Sequence, residues 1–341
     1  MSSLDPVAGT AEEILGLLRA WEAADDPAPL VIETSGSTGR PKRVRLSRDA
    51  MRASARATHR RLGGPGQWAL TLPPAYVAGV QVLFRSVLAG TVPVVHQGST
   101  AEVLAAMAGP RRYVSLVPTQ LVRALDDEEE TGALRGFDAV LVGGGPLAPR
   151  RRADAEARGI SVVQTYGMSE TCGGCVYDGH PLDGVGVKID ADGEVLLSGP
   201  MLFDGYDGDP ERTGSVLDGG WFRTSDLGRL DDDGRLHVLG RTDDVVISGG
   251  VKIPATAVRR MLEQHPGVAA AAVTGVPDEE WGELVVAVVQ REGEQVDLAS
   301  LRERVSPRTW APKRFVLVDR LPRLANDKVD RDAVRRLAAD A

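Results

Sequence analysis

Short apolar runs alternate with longer amphipathic stretches between residues 30 and 166 of the chain. The apolar runs predict strands at 30–33, 68–72, 91–95, 113–117, 139–142 and 162–166. Helical periodicity between them predicts helices at 48–62, 77–89, 100–108 and 147–158. Strands and helices in alternation are typical of parallel strands joined by crossover helices, so the pattern predicts an α/β core. Binding sites of such sheets lie at the strand ends.

Beyond about residue 185, short strands and turn residues replace this alternation, with a hairpin signal at 232–234. The segment 240–244 marks the next boundary. After it, the pattern predicts helices at 257–265 and 298–305 and strands at 269–276 and 284–290. We therefore expect a large α/β core over residues 1–239 and a smaller α+β domain over residues 240–341.

The composition is that of a globular protein, with 43% hydrophobic and 26% charged residues among 341. The 48 acidic residues outnumber the 40 basic ones, which gives a formal charge of −8. This excess disfavours a nucleic-acid or anionic-membrane partner, because both are reached mainly through Lys and Arg. The N-terminus has neither a basic start nor a long apolar run, so we expect a cytoplasmic protein.

A glycine- and hydroxyl-rich loop follows the first predicted strand directly. Backbone N–H groups and hydroxyls of such a loop can converge on phosphate oxygens, and a lysine at its end supplies positive charge. The spacing is not that of a Walker A loop. The sequence therefore predicts a phosphate-binding loop made of Thr34, Ser35, Gly36, Ser37, Thr38, Gly39 and Lys42.

This loop resembles the signature loop of the adenylate-forming superfamily, which includes acyl-CoA synthetases, nonribosomal adenylation domains and luciferases. Four further segments resemble motifs of that superfamily and occur in its order. They are YGMSET at 166–171, GWFRTSD at 220–226, GRTDD at 240–244 and NDKVDR at 326–331. The resemblance implies an ATP-dependent enzyme that activates a carboxylate as an acyl-adenylate, with Mg²⁺ on the ATP phosphates.

The resemblance also implies roles for individual residues. Tyr166 would stack on adenine, with Gly167 and Met168 beside it, while Ser169 would bind a phosphate oxygen. Glu170 is a hard oxygen ligand suited to Mg²⁺. The remaining nucleotide contacts would come from the glycine segment, the ribose-binding carboxylate and a basic residue: Gly143, Gly144, Gly145, Asp226 and Arg241.

Lys328 would be the main catalytic residue, assisted by Lys42 and Glu170. Joining a carboxylate to the α-phosphate of ATP brings two anions together, and a positioned cation stabilises that transition state. In the superfamily the C-terminal domain rotates after adenylation and presents another face for thioester formation with CoA. The pivot would be Asp243, and the thiol tunnel would be lined by Ser248, Gly249, Gly250 and Lys252. Asp327 departs from the glycine that usually precedes the lysine.

Within the superfamily, the chain is most similar to the short o-succinylbenzoate-CoA ligases of menaquinone biosynthesis, with YGMSETCGGCVYDG, PLDGV and ISGGVKI as the shared segments. An N-terminal region much shorter than is usual agrees with this group. Tyr76 stands where the group has a histidine, and it either contacts the aromatic acid or packs at a helix start. The second carboxylate would be held by Thr171, Arg85 or Ser115, which the sequence does not rank.

Two other activities fit the same motifs. The acyl group could pass to a carrier-protein thiol instead of CoA, or the chain could bind nucleotide without turnover. A shortened N-terminal region that exposes apolar surface would favour a homodimer. The pair Cys172 and Cys175 has a CxxC spacing, but a zinc site needs four ligands and no second pair exists, so we expect neither metal nor redox chemistry there.

Overall fold

The computed structural model describes residues 5–34, 41–95, 98–293, 296–323 and 329–340. Its strands are β1 Leu30–Thr34, β2 Lys42–Leu46, β3 Gln67–Leu70, β4 Val94–Val95, β5 Arg112–Leu116, β6 Ala139–Val142, β7 Val162–Met168, β8 Gly173–Tyr177, β9 His180–Pro181, β10 Gly186–Ile189, β11 Glu194–Ser198, β12 Gly205–Tyr206, β13 Leu217–Asp218, β14 Trp221–Leu230, β15 Leu236–Arg241, β16 Val245–Ser248, β17 Val251–Pro254, β18 Val268–Asp278, β19 Gly282–Arg291 and β20 Arg314–Val318.

The α-helices are α1 Ala11–Ala23, α2 Arg48–Arg61, α3 Val77–Ala89, α4 Thr100–Ala105, α5 Pro118–Leu125, α6 Glu128–Leu134, α7 Pro149–Ala157, α8 Pro210–Val216, α9 Ala255–Leu262, α10 Leu298–Glu303 and α11 Arg331–Ala339. Short 3₁₀-helices occupy Ser169–Thr171, Thr242–Asp244 and Arg308–Trp310. None of the helices in the described ranges is long and apolar enough to cross a lipid bilayer.

A seven-stranded sheet in the order β4-β3-β5-β6-β7-β8-β9 forms the centre of the core. Its strands β3 to β7 are parallel, as the alternating pattern predicts, and β8 and β9 extend it antiparallel. Alternate side chains point to opposite faces, so Trp68 packs with α1 to α3 whereas Ala69 packs with α4 to α7. The carboxyl ends of the parallel strands therefore lie together at one edge.

The first predicted strand does not belong to this parallel sheet, which corrects the sequence interpretation. β1 pairs antiparallel with β2, and β2 pairs antiparallel with β12, in a separate three-stranded sheet. The sequence of β2, KRVRL, carries three basic residues, and its apolar positions Val44 and Leu46 are too few to stand out. This small sheet brings Thr34 opposite Lys42 and so joins the two ends of the predicted phosphate loop.

The rest of the core is the sheet β10-β11-β14-β13, with β15 paired to β14. The predicted hairpin turn connects β14 to β15. Asp231 N–H donates to the Arg235 carbonyl over 3.1 Å, and Gly234 has φ +74°, a left-handed conformation that favours glycine. The segment 220–226 and the segment 240–244 consequently lie side by side, because Asp226 is paired with Arg241.

The C-terminal part forms the sheet β17-β16-β19-β18, with β20 parallel to β19. Helices α9 and α10 pack on one face of it and α11 packs on the other. The predicted strands and helices of this region are confirmed with shifts of a few residues at their ends. The chain thus has a mixed α/β fold with a large N-terminal part and a smaller C-terminal α+β domain, as expected.

Candidate functional site

Lys42 and Glu170 meet at the carboxyl end of β7. Lys42 begins β2, directly after the predicted phosphate loop, and its Nζ lies 4.0 Å from Glu170 Oε1. Burial lowers the pKa of Lys42; Glu170 acts in the opposite direction, and Arg212 and Arg241 lower the pKa further. Lys42 is therefore close enough to two other cations to be affected by their charge, and such a group of cations is suited to bind a polyanion.

Glu170 is held by the tight turn that ends β7. It lies in the 3₁₀-helix Ser169–Thr171 and is only 7% exposed, and its carbonyl accepts a hydrogen bond from Phe203 N–H over 2.9 Å. The Thr171 hydroxyl accepts from Met168 N–H over 2.9 Å and lies 2.7 Å from the Gly173 carbonyl. Thr171 is fully buried, so its hydroxyl fixes this turn and is already engaged within the protein.

Tyr166, Asp226 and Arg241 form a second cluster beside the first. The Tyr166 hydroxyl donates to Asp226 Oδ2 over 2.8 Å, and Arg241 lies 3.9 Å from Asp226 Oδ1. Burial raises the pKa of Asp226, while the Tyr166 hydrogen bond and Arg241 lower it. Arg241 also donates to Asp243 over 3.0 Å. Four residues from three predicted motifs are thereby brought together.

The glycines of the site provide close backbone approach. A Cβ atom on Gly167 would lie 2.1 Å from the Gly173 carbonyl oxygen, so only glycine fits where β7 meets β8. A Cβ atom on Gly143 would lie 2.3 Å from the Thr165 hydroxyl, and Gly144 has φ +74°. The predicted glycine segment 143–145 therefore follows β6 with a backbone that other residues would not easily adopt.

Several predicted residues fall outside the described ranges. They are Ser35, Gly36, Ser37, Thr38 and Gly39 of the phosphate loop, together with Lys328 and Asp327. The structure does describe residues that border these two segments. Thr34 and Lys42 are paired across β1 and β2, and Val329 lines a cavity next to Pro146, the residue after the glycine segment.

The three candidates for the acid's second carboxylate differ in position. Ser115 lies near the carboxyl end of β5 and is 9% exposed, close to the edge that carries the site. Arg85 lies two turns into α3, where its guanidinium stacks on Trp68 at 5.0 Å, near the start of β3. This is the opposite end of the strands, so the geometry disfavours Arg85 as the residue that holds the second carboxylate.

Tyr76 precedes α3 and is 57% exposed, so its interpretation as a packed side chain is wrong.

The predicted hinge and thiol-tunnel residues lie on the C-terminal side. Asp243 is in the 3₁₀-helix Thr242–Asp244. Ser248 ends β16, Gly249 and Gly250 form the turn, and Lys252 lies in β17. Gly249 has φ +56° and would contact Trp281 through a Cβ atom at 2.8 Å. Lys252 pairs with Asp192, in the β10–β11 turn, over 2.9 Å.

A cavity of about 410 Å³ lies between Pro146 and the C-terminal domain. Its wall includes Asp243, Val246, Gly275 and Val329. It adjoins the hinge and does not contain Lys42 or Glu170.

Cys172 and Cys175 are free, fully buried thiols. Burial raises the pKa of both, that of Cys175 to about 12, so neither thiol ionises at neutral pH. Cys172 has φ +50° and follows the Ser169–Thr171 turn. Within the described ranges no three His, Cys, Asp or Glu side chains are grouped to hold a metal ion.

A magnesium ion fits this site through Glu170 together with phosphate oxygens. Mg²⁺ keeps several waters and is commonly bound by one or two carboxylates plus substrate phosphates, without an all-protein cage. The carboxylate is buried beside Lys42, and Oε1 is the one carboxylate oxygen that accepts a hydrogen bond from the described residues.

Sequence reasoning missed Tyr206 and Arg212. The Tyr206 hydroxyl donates to Glu170 Oε1 over 2.8 Å, and the Arg212 guanidinium lies 5.1 Å from the Tyr206 ring centroid. A signal was present, because Asp209 followed by Pro210 is a typical start of a helix, here α8. The pairing of β12 with β2 that places Tyr206 had no such signal.

The sequence of the chain is similar to those of known nucleotide-dependent enzymes. A family described as AMP-binding enzyme matches residues 7–207, and one described as AMP-binding enzyme C-terminal domain matches residues 260–328. A "Probable 2-succinylbenzoate--CoA ligase" of Mycobacterium tuberculosis is 46% identical over 346 residues, covering 97% of this chain and 90% of that protein. A 2-succinylbenzoate–CoA ligase of Bacillus licheniformis is 35% identical, covering 90% and 69%.

Two solved structures resemble the chain in fold and in sequence. The o-succinylbenzoate CoA synthetase of Bacillus subtilis, in complex with its acyl-adenylate intermediate, superposes with a TM-score of 0.74 at 30% identity, covering 90% of this chain and 68% of that one. An amide bond synthetase of Marinactinospora thermotolerans superposes with a TM-score of 0.76 at 31% identity, covering 90% and 69%. The chain belongs to the AMP-binding enzyme family.

Proposed function

We propose that the chain ligates o-succinylbenzoate to CoA at the expense of ATP, through an acyl-adenylate, and so acts in menaquinone biosynthesis. The observation that carries the proposal is the Lys42–Glu170 pair at 4.0 Å, next to the Tyr166–Asp226 pair. The 46% identity to the mycobacterial relative and the acyl-adenylate bound to the Bacillus subtilis enzyme support the choice of acid.

In the first half-reaction, a carboxylate oxygen of the acid attacks the α-phosphorus of ATP. The bond to the β-phosphate oxygen breaks, and pyrophosphate leaves with that electron pair. Lys42 would offset the negative charge that develops on the phosphates, with Glu170 and the phosphates holding Mg²⁺, which neutralises further charge. Tyr166 would contact adenine, and Asp226 would accept from the ribose hydroxyls.

We assign Lys328 to the same transition state, because it lies in a motif that resembles that of the superfamily. Val329, the residue that follows Lys328 in the chain, and Pro146, the residue that follows the glycine segment, line one cavity. In the second half-reaction, the CoA sulfur, having lost its proton, attacks the acyl carbon, and AMP leaves with the bonding electron pair. The hairpin with Ser248, Gly249, Gly250 and Lys252 would face the thiol after rotation at Asp243.

For acid recognition we propose Tyr76 and Ser115. Tyr76 is exposed at the start of α3, and Ser115 lies near the end of β5. Thr171 remains assigned to the substrate pocket as a wall residue, since its hydroxyl is already bonded to the turn of Glu170.

The test is a panel of carboxylic acids incubated with the protein, Mg-ATP and CoA. Pyrophosphate release and product mass are followed together. We expect release with o-succinylbenzoate above other aromatic acids, and a product with the mass of its CoA thioester. Absence of release with every acid would refute adenylation and favour a nucleotide-binding protein without turnover.

A different thiol or an amine could replace CoA as acceptor. The amide bond synthetase that superposes on the chain makes this worth testing. A phosphopantetheinylated carrier protein and a primary amine are therefore added to the panel. Preference for either over CoA would correct the acceptor while leaving the adenylation step in place.

Three further assignments accompany the proposal. We place the domain boundary before the segment 240–244, and we place the protein in the cytoplasm, where ATP and CoA are supplied. The two buried free thiols are compatible with that reducing compartment.

We also infer a homodimer, because Val92 and Val95 expose apolar surface around the edge strand β4. Sedimentation that gives a monomer mass would refute the dimer.

A further inference from the structure

Tyr206 contacts both members of the Lys42–Glu170 pair with different parts of its side chain. Its hydroxyl donates to Glu170 Oε1 over 2.8 Å, and its ring centroid lies 5.8 Å from Lys42 Nζ. The same ring lies 5.1 Å from the Arg212 guanidinium. Among the described residues, no other group donates a hydrogen bond to the Glu170 carboxylate.

The sheet β1-β2-β12 explains why Tyr206 stands there. Tyr206 pairs with Val44 of β2, and residues two apart on a strand share a face, so Lys42 is the diagonal neighbour of Tyr206 on that face. The Tyr206 N–H donates to the Thr213 hydroxyl over 2.8 Å, and Phe203 packs edge-on against the ring at 5.0 Å. The position of the ring is thus fixed from several sides.

The orientation of the Glu170 carboxylate decides which of its oxygens can face a ligand, because the side chain is largely buried. A single hydrogen bond to Oε1 fixes the rotation of the carboxylate and leaves Oε2 without a donor among the described residues. Outer partners of this kind orient ligand carboxylates and tune what they bind. A tyrosine hydroxyl carries its proton at neutral pH, so it donates to the carboxylate.

We propose that Tyr206 is a positioning residue for ATP activation. Its hydroxyl aims Glu170 at the magnesium–triphosphate complex, and its ring holds the cations of Lys42 and Arg212 beside that carboxylate. Cations near an aromatic face are attracted by it, which offsets the repulsion between the two basic side chains. The inference rests on the proposed function, because it takes Glu170 and Lys42 as the groups that meet the triphosphate.

The first experiment compares Tyr206→Phe with the wild-type protein by calorimetric titration of ATP, with Mg²⁺ and with EDTA. The variant keeps the ring and loses the hydroxyl. We expect about tenfold weaker ATP binding with Mg²⁺, since a hydrogen bond to a charged group is lost, and less than a twofold change with EDTA. The matched control is Tyr113→Phe, whose buried hydroxyl lies 3.0 Å from the Leu62 and Gly64 carbonyl oxygens, and it should change neither affinity.

A double-mutant cycle then asks whether Tyr206 acts through Glu170. In a Glu170→Gln background, Tyr206→Phe should weaken magnesium–ATP binding less than twofold, because the oriented carboxylate is already gone. Equal effects of Tyr206→Phe in both backgrounds, or equal effects with Mg²⁺ and EDTA, would overturn the inference.

A second variant keeps the inference open to refutation if Tyr206→Phe does not fold. Glu170→Asp withdraws the carboxylate from the tyrosine hydroxyl and keeps its charge, so magnesium-dependent ATP affinity should fall as in Tyr206→Phe. Retained affinity in Glu170→Asp would contradict a role for this contact. Failure of the proposed function itself is recognised separately, because the wild-type protein would then bind no magnesium–ATP.

Discussion

The Tyr166 hydroxyl donates to Asp226 Oδ2 over 2.8 Å and thereby ties the end of β7 to the middle of β14. One contact thus joins the residue assigned to adenine with the residue assigned to ribose. Burial raises the pKa of Asp226, and the Tyr166 hydrogen bond opposes that rise. The protonation state of the ribose-binding carboxylate therefore depends on the aromatic residue beside it.

Tyr166→Phe should weaken nucleotide binding and shift its pH dependence. The ring remains for stacking, but without the hydroxyl the pKa of Asp226 rises further. Ribose hydroxyls need the ionised carboxylate as acceptor, so affinity should begin to fall at a higher pH than in the wild type as the solution is acidified. We expect roughly three- to tenfold weaker AMP binding at pH 8. Titrations between pH 5 and 8 measure both effects, and superimposable pH profiles would contradict them.

Gly167→Ala should disrupt the turn that carries Glu170. The added Cβ would lie 2.1 Å from the Gly173 carbonyl oxygen, and backbone on both sides would have to move. We expect a loss of about 1–3 kcal/mol in the free energy of unfolding and a larger loss of ATP affinity. The control is Gly16→Ala in α1, where nothing lies within 4 Å of the new Cβ and stability should rise slightly. Chemical denaturation of both variants measures these changes in the free energy of unfolding, and an unchanged value for Gly167→Ala would contradict the prediction.

His59 should make the protein less stable in weak acid. Burial, assisted by Arg85, lowers the pKa of His59 from 6.5 to about 4. Below pH 6.5 the unfolded chain therefore binds a proton that the folded chain does not, and stability falls as the pH falls from 6.5 towards 4. We expect a loss of about 2 kcal/mol between pH 7 and pH 5 from this residue. His59→Leu should remove that part of the pH dependence, whereas the exposed control His180→Ala should keep it.

The ion pair between Lys252 and Asp192 should favour the domain orientation seen here. It joins the β16–β17 hairpin to the β10–β11 turn over 2.9 Å, and a rotation at Asp243 would separate its members. Asp192→Lys places two like charges together and should raise thioester formation from a supplied acyl-adenylate relative to pyrophosphate release. Both side chains are largely exposed, so the melting temperature should barely change. An unchanged ratio of the two half-reactions would count against a role for this contact.

The alternation of apolar and amphipathic segments predicted the parallel strands and four of the helices, but it missed α5 and α6, which connect β5 to β6. Buried parallel strands such as β6, AVLV, are continuous apolar runs, and these are conspicuous in a sequence. β2 was missed because three of its five residues are basic, so β1 was left without its neighbouring antiparallel partner and was assigned to the parallel sheet.

The candidate site was predicted to a similar degree. Motif residues Lys42, Glu170, Tyr166, Asp226 and Arg241 come together. Lys42 and Glu170 lie beside strand ends, and the pairing of β14 with β15 places Asp226 and Arg241 next to Tyr166. Tyr206 was not predicted as a site residue. Its position beside Glu170 depends on the pairing of β12 with β2, two strands that are distant in the sequence. The sequence did not rank Arg85 against Thr171 and Ser115, because the stacking of its guanidinium on Trp68 depends on how α3 packs against β3.

The most direct test is a crystal structure with Mg²⁺ and a non-hydrolysable ATP analogue. The account predicts the triphosphate between Lys42 and Glu170, the adenine beside Tyr166 and the ribose hydroxyls on Asp226. A triphosphate bound elsewhere, such as in the 410 Å³ cavity beside Arg259 and Arg335, would contradict it.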